Sequence, residues 1–592
     1  MKYKNPFNYI HLALIFLFGL ITLYPTFKFS LTGDDFLGLW RFQQFDIKGV
    51  SGYLKYFFTD YGPQDLLTNI IHMIFGFKPF YYYLIAFIFR VIAALSFLPL
   101  LYLLTKNKFA SFLGALFFLI SYTGSEVLDW SFNMPSYIAI TFMNLFLTIF
   151  IIYLNNSSNR LLYASIMLYF LSISTQPLRM MVLPFIVITF YLSLVFIFKD
   201  GINIRKTFVS QFIYIFIFLV FILATSIGIT TGLKTDTEKE GTGKIFNNLI
   251  SNINQSTKTK GYGVLLYPVA QVGNILIPTT YIPNKYDVLD KQESITLVLL
   301  SVSVYILAFY LLNKYIKFKS KTISWIIYSS GILWGSVIWI LFLKNDPVLI
   351  STSNLLGLFT GGFFIIFTIL IIYLFRKKYY AVYGLLLSTI IILLSFIPPW
   401  VRNPDQIHSS NSRYLIVSAA GISLLFGVLL NLLIKKNKSL TLPLIIFFTI
   451  HLYATNKYIS HLSLVKDSLK TESIRSSLVT PKNNNSKEPL VYYFEADNPE
   501  VLYHAIMFGF PMFIHYYYDF DSPWNVAYTE NWIEVVNSYL DGSGLTRFGT
   551  INIEPVKLEN IYSFKLEYGI LHNTTESTRQ KLIEIKTPLN NN

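Results

Sequence analysis

The sequence predicts an all-α polytopic membrane protein that ends in a small extracytoplasmic α/β domain. Three observations carry that expectation. The first is composition: of 592 residues, 54% are hydrophobic, 18% aromatic and only 13% charged, and the mean hydropathy is +0.51. One soluble core cannot bury that much apolar surface. The second is a series of apolar runs near the length of about 20 residues that crosses a hydrocarbon layer about 30 Å thick. The third is a change of character after residue 461, where the chain turns polar and takes up short alternating patterns.

The runs fall at 8–30, 80–104, 109–122, 136–154, 161–175, 180–198, 208–231, 294–313, 323–343, 353–375, 380–399, 413–434 and 440–459, so about thirteen helices are expected. Basic residues gather at alternate ends. The clusters are Lys2/Lys4, Lys106/Lys108, Arg160, Lys199/Arg205/Lys206, Lys314/Lys317/Lys319/Lys321, Arg376/Lys377/Lys378 and Lys435/Lys436/Lys438. Each follows an even number of crossings, which places them and the N-terminus in the cytoplasm, with a bacterial plasma membrane as the expected location. The first run lacks a small-residue cleavage site and reads as a retained helix.

The same alternation accounts for the net charge of +15. From residue 461 onward, 11 basic side chains face 16 acidic ones, leaving that part about 5 negative and the remainder about 20 positive. The basicity therefore belongs to topology, and no nucleic-acid partner is implied. The chain has no cysteine, which excludes disulfides, thiolate metal sites and a cysteine nucleophile.

The organisation that follows is a membrane domain over 1–460 and a C-terminal domain over 461–592, joined through the linker-like NNNSKEP. Within the C-terminal part, 489–496 and 561–570 read as strands, 499–510 and 574–585 as helices. Four outer loops are large or polar enough to carry chemistry: 31–79, 123–135, 232–293 and 400–412. Residues Leu54, Phe57, Phe58 and Tyr61 recur at helical spacing, as in a helix lying in the membrane interface. The long loop begins LKTDTEKEGTGK, whose GTGK lacks the spacing of a phosphate-binding loop, and continues into an apolar stretch, GYGVLLYPVAQVGNILIP.

The first outer loop opens on TGDDF, with Asp34 and Asp35 adjacent. A helix cap explains such a pair as well as chemistry does. The second loop holds another acidic pair, Glu126 and Asp129, three residues apart and facing the same compartment. Arg402, His408 and Arg413 lie in the loop 400–412 and at its end, Arg179 at an outer turn, and Arg90 inside the second run, all against the usual placement of positive charge. Carboxylates with arginines on one face suit transfer from a lipid-linked phosphate. An ionised acid accepts a proton from a hydroxyl, and arginine holds a phosphate by paired charge-assisted bonds.

The order of a first helix, a loop opening on GDDF, the stretch YGPQDLLTNIIHMIFGFKPFYYYLIAFIFR, acids in the second loop, a long loop after the seventh helix and the Arg413-Tyr414 pair resembles the GT-C superfamily of membrane glycosyltransferases. The protein O-mannosyltransferases and bacterial aminoarabinose transferases are the nearest in plan. The resemblance implies a GT-C fold and a polyprenyl-phosphate-linked sugar donor. It also implies inverting transfer to an extracytoplasmic acceptor, in which Asp34 and Asp35 are the catalytic acids and Asp34 is the base. Glu126 or Asp129 would orient the acceptor or the base, and Arg402, Arg413, Arg179 and His408 would hold the donor phosphate. No cofactor is expected, although four acids could also hold a divalent cation. The rival readings are a transporter or flippase of lipid-linked sugars, a polymerase or ligase of such sugars, and a membrane scaffold.

Overall fold

The computed structural model describes residues 9–589 apart from 45–46, 48, 60, 157, 198–210, 218, 221–250, 252, 260, 279–290, 317–320, 341–351, 376–378, 403–405, 435–440, 480–487, 519–525 and 544–553. Most of the apolar run expected at 208–231 and all of LKTDTEKEGTGK lie outside the described residues.

Among the described residues, six helical segments are long and apolar enough to cross a membrane: Tyr9–Lys28, Pro79–Thr105, Ser131–Asn156, Thr352–Leu370, Val382–Trp400 and Arg413–Ile434. Several of the other expected runs, among them 180–198, 208–231 and 323–343, extend onto residues outside the described ones. Lys108–Ile120 has 13 residues, and at 1.5 Å per residue it reaches about 20 Å, short of the 30 Å needed. Leu442–Val465 is long enough, but His451, Asn456, Lys457 and His461 dilute its apolar character.

Pro79–Thr105 is the hub of the helical part, packing on the helices Lys108–Ile120 and Pro135–Asn156. It ends at Lys106 in the left-handed region, and Asn107 then caps the next helix by accepting from the N–H groups of Phe109 and Ala110 at 3.0 and 3.3 Å. The far end of that short helix leaves carbonyls that need donors. Arg90 Nε donates to the Leu119 carbonyl at 2.9 Å, Thr455 Oγ1 to that of Ile120 at 2.8 Å, and Arg90 Nη1 to the Tyr137 hydroxyl at 2.9 Å. Arg90, which its place inside an apolar run marks as a functional candidate, is therefore wholly engaged in tying three helices together.

The apolar stretch after the long loop forms a helical turn at Tyr262–Leu266 and the helix Tyr267–Leu276. This helix lies against Thr352–Phe375 in backbone contact. A Cβ on Gly273 would stand 1.9 Å from the Gly357 carbonyl oxygen. In the first loop, Gly49–Phe57 is amphipathic, with Val50, Tyr53 and Leu54 exposed beside Lys55, as expected of an interfacial helix.

The C-terminal part is built on a four-stranded sheet of order β2-β1-β3-β4. Strand β1 (Leu490–Ala496) runs parallel to β2 (Val526–Thr529) and β3 (Ile561–Glu567), while β4 (Ile570–Asn573) returns antiparallel to β3. The strand expected over 561–570 is thus a hairpin, and its turn residues Tyr568 and Gly569 both have positive φ, the geometry a two-residue hairpin requires. The helix expected over 499–510 is interrupted. After Pro499–Leu502, Tyr503–Met507 forms a π turn, and a new helix, Phe510–Tyr518, starts beyond Gly509.

Gly273→Ala should destabilise the helical part by about 1–3 kcal/mol, because the added methyl has no room against backbone. Thermal unfolding of the purified protein in detergent checks this. An unchanged midpoint would disprove the close approach.

Candidate active site

Gly33 sits at φ +54 and donates its N–H to the Phe508 carbonyl at 3.0 Å. This turn starts the helix Asp34–Gln44, so both acids stand in its first turn, where negative charge suits the exposed N–H groups. Their environments then diverge. Asp35 Oδ2 accepts from the Thr32 N–H at 2.9 Å, and Oδ1 accepts from Ser131 Oγ at 2.7 Å and the Phe132 N–H at 2.8 Å. The residue is 1% exposed. Burial pushes its carboxyl up, and these three donors pull it back.

Among the described residues nothing donates a hydrogen bond to Asp34. Burial raises its carboxyl above the ordinary carboxylate range, and the charges of Arg413, Arg41 and Arg179 oppose that shift. Asp34 thus feels the charge of three guanidinium groups without a hydrogen bond to any of them.

The second loop, folded as the 3₁₀ turns Ser125–Leu128 and Ser131–Asn133, separates its two acids. Glu126 accepts from the Arg413 N–H at 2.7 Å and from its Nη1 at 3.1 Å. The Arg413 guanidinium also lies 3.7 Å from the centre of the Trp130 ring. Asp129 pairs instead with Lys466, Nζ to Oδ1 at 2.7 Å, and Lys466 Nζ donates to the Asp129 carbonyl as well. Lys466 is fully buried and immediately follows the helix Leu442–Val465.

Arg179 Nη2 donates to Asn133 Oδ1 at 2.7 Å and Nη1 to Ser136 Oγ, both neutral partners. Burial, and then the like charge of Arg413, brings it down to about 10, so it stays cationic at neutral pH. His408 is held at its backbone by Gln271, which accepts the His408 N–H at 2.7 Å and donates to its carbonyl at 3.2 Å. Its ring lies 5.7 Å from that of Tyr414, and burial lowers its basicity. Arg402 closes the short helix Ile397–Arg402, and its side chain lies outside the described residues.

The structure therefore brings Asp34, Arg413 and Arg179 to one place, bonds Asp35 and Glu126 around them, and turns Asp129 towards Lys466. Two participants escaped the sequence reading. Arg41, in the same helix as Asp34, forms a two-pronged pair with Asp65, Nε to Oδ2 at 3.1 Å and Nη2 to Oδ1 at 2.8 Å, and Tyr56 adds its hydroxyl at 2.5 Å. Asp65 lies inside the quoted YGPQDLL, and an acid 24 residues from an arginine carries no local signal. Lys466 was equally hidden, 337 residues from its partner. Among the described residues, no three His, Asp or Glu side chains converge as a metal site would require.

No family model matches the sequence, and no curated protein matches it. Among solved structures, ArnT from Cupriavidus metallidurans, crystallised bound to undecaprenyl phosphate, is similar over 83% of this chain and 84% of its own, with 13% identity and a TM-score of 0.28. A likeness of that size carries no argument about chemistry, which must rest on the residues above.

Breaking a buried ion pair strands the remaining charge at a cost of about 3–5 kcal/mol. Lys466→Met should therefore lower the unfolding midpoint strongly, and Lys466→Met with Asp129→Leu should recover most of the loss. Failure of the double variant to recover would show that the pair does not act as a unit.

Proposed function

We propose that the chain is a membrane glycosyltransferase that moves a sugar from a polyprenyl-phosphate donor to an acceptor hydroxyl. The observation that carries this reading is the contrast between Asp34 and its neighbours. Asp35, Asp65, Glu126 and Asp129 all accept close hydrogen bonds from protein donors, and Asp34 alone is left open. An acid with that freedom, and with a proton affinity raised above that of an ordinary carboxylate, suits a general base.

The acceptor O–H gives its proton to Asp34 as its oxygen bonds to the anomeric carbon, and the bond from that carbon to the phosphate oxygen breaks. The electron pair leaves with the lipid phosphate. Attack and departure on opposite faces invert the anomeric centre, through an oxocarbenium-like state. Arg179 is the anion holder best suited to the departing phosphate, because its partners Asn133 and Ser136 leave its charge uncompensated. Arg413 spends one Nη on Glu126 and keeps further donors for a phosphate oxygen. His408 and Arg402 come from the loop that carries Arg413 and complete the donor side of this reading. Asp35 acts as a positioning residue, fixing the turn that presents Asp34.

Full-length protein supplied with labelled polyprenyl-phosphate sugars and candidate acceptors tests the reading. Asp34→Asn should cut transfer by about 100-fold or more. Because the folded chain raises the Asp34 carboxyl, its ionisation costs stability as pH rises through that value. The same substitution should then raise the unfolding midpoint at neutral pH. Retained transfer in Asp34→Asn would refute the base assignment.

The pH profile carries the same sign. Transfer needs ionised Asp34, so kcat/KM should climb with pH through a limb displaced upward from the ordinary carboxylate value of about 4. Arg179→Met should weaken donor use by about 10- to 100-fold, the worth of a charged hydrogen bond, read as a rise in donor KM. A KM that stays put would remove Arg179 from the donor site.

A further inference from the structure

The π turn Tyr503–Met507 comes from the C-terminal part, yet it is fastened to the loop that carries Asp34. Arg475 bridges the two, with Nε donating to the Ala505 carbonyl at 2.7 Å and Nη2 to that of Leu31 at 2.8 Å. Gly33 and Gly509 approach so closely that a Cβ on Gly509 would lie 2.8 Å from the Gly33 oxygen. Three rings then continue towards the carboxylate. Tyr503 stacks on Phe508 at 5.3 Å and 22°, and Phe508 on Trp130 at 4.9 Å and 30°, the ring over which Arg413 rests.

The terminal rings of that row differ in the way a binding surface would. Trp130 is 8% exposed and its Nε1–H is buried without a hydrogen-bond partner among the described residues, whereas Tyr503 is 43% exposed. Tyr503 stacks on Phe508, whose carbonyl accepts the N–H of Gly33, the residue just before Asp34, at 3.0 Å. A large exposed ring beside an open carboxylate, on a turn rigidly tied to it, offers a flat apolar surface and nearby polar groups together. That pairing matches a pyranose, which has a face of C–H bonds and a rim of hydroxyls.

Resting on the glycosyltransferase reading, we propose that Tyr503 is the platform of a carbohydrate subsite: a pyranose ring stacks on its phenol ring with its hydroxyl rim turned to Asp34. The ring belongs either to a sugar acceptor or to the donor's own sugar, and the two sources are separable. The π turn supports the proposal, since a single π turn inside a helical stretch is a local distortion found often at functional sites.

Saturation-transfer NMR on the detergent-solubilised full-length protein, with methyl pyranosides of glucose, galactose, mannose and N-acetylglucosamine as probes, tests it without turnover. At least one probe should bind, about fivefold more weakly to Tyr503→Ala, with affinity kept in Tyr503→Phe and Tyr503→Trp, as ring stacking requires. Competition then identifies the source. Displacement by mannosyl undecaprenyl phosphate but not by undecaprenyl phosphate assigns the platform to the donor sugar, and displacement by neither assigns it to the acceptor. Equal binding to wild type and Tyr503→Ala, or no binding by any probe, overturns the proposal. Either result leaves the base assignment to be judged by transfer in Asp34→Asn, so the two readings fail separately.

Discussion

The contacts of Asp35 hold the site together. One carboxylate gathers a donor from its own loop, Thr32, and two from the second loop, Ser131 and Phe132. It thereby locks two segments almost 100 residues apart while satisfying both of its oxygens. Three donors around one buried carboxylate are strong, because a buried acceptor without them would cost its full desolvation. The consequence falls on its neighbour. With the turn fixed and the helix beginning at Asp34, that side chain shares none of the donors Asp35 uses, and the charges of Arg413, Arg41 and Arg179 reach it.

The charges around that point follow a consistent pattern. Arg41 is neutralised by Asp65, Arg413 by Glu126 and Lys466 by Asp129. Such pairs fix side chains and contribute little net attraction for a ligand. Arg179 lacks a carboxylate partner among the described residues, and Asp34 lacks a hydrogen-bond donor. An acid without a hydrogen-bond donor and a cation without a carboxylate partner thus stand in one place, and the proposed transfer uses both, the first as a free base and the second as the holder of an anion brought by the ligand.

The sequence showed some of this plainly. Adjacent carboxylates after the first helix, a second acidic loop and arginines at odds with the charge rule pointed to one end of the helical bundle, and Asp34, Glu126, Arg413 and Arg179 do meet there. Asp34 and Asp35 could not be ranked from sequence, since two identical neighbours differ only in what other segments bring to them. Arg90 was equally open to two readings. An arginine in an apolar run signals either function or the need to satisfy carbonyls at the end of a short helix, and only the length of Lys108–Ile120 decides between them.

Arg475 shows how the C-terminal part is fastened beside the acidic pair. A guanidinium fully buried among Phe36, Phe513 and Tyr517 would be costly without acceptors. It finds them in the carbonyls of Ala505 and Leu31, one in the π turn and one just before the acidic pair. Bringing the two segments together thus offsets much of the cost of burying that charge. A surface that merely rested on the membrane part would tolerate sliding by an ångström or more. The close approach of Gly33 to Gly509, the Gly33 N–H on the Phe508 carbonyl and the shared Arg475 oppose it, and Tyr503 lies on the turn they fasten.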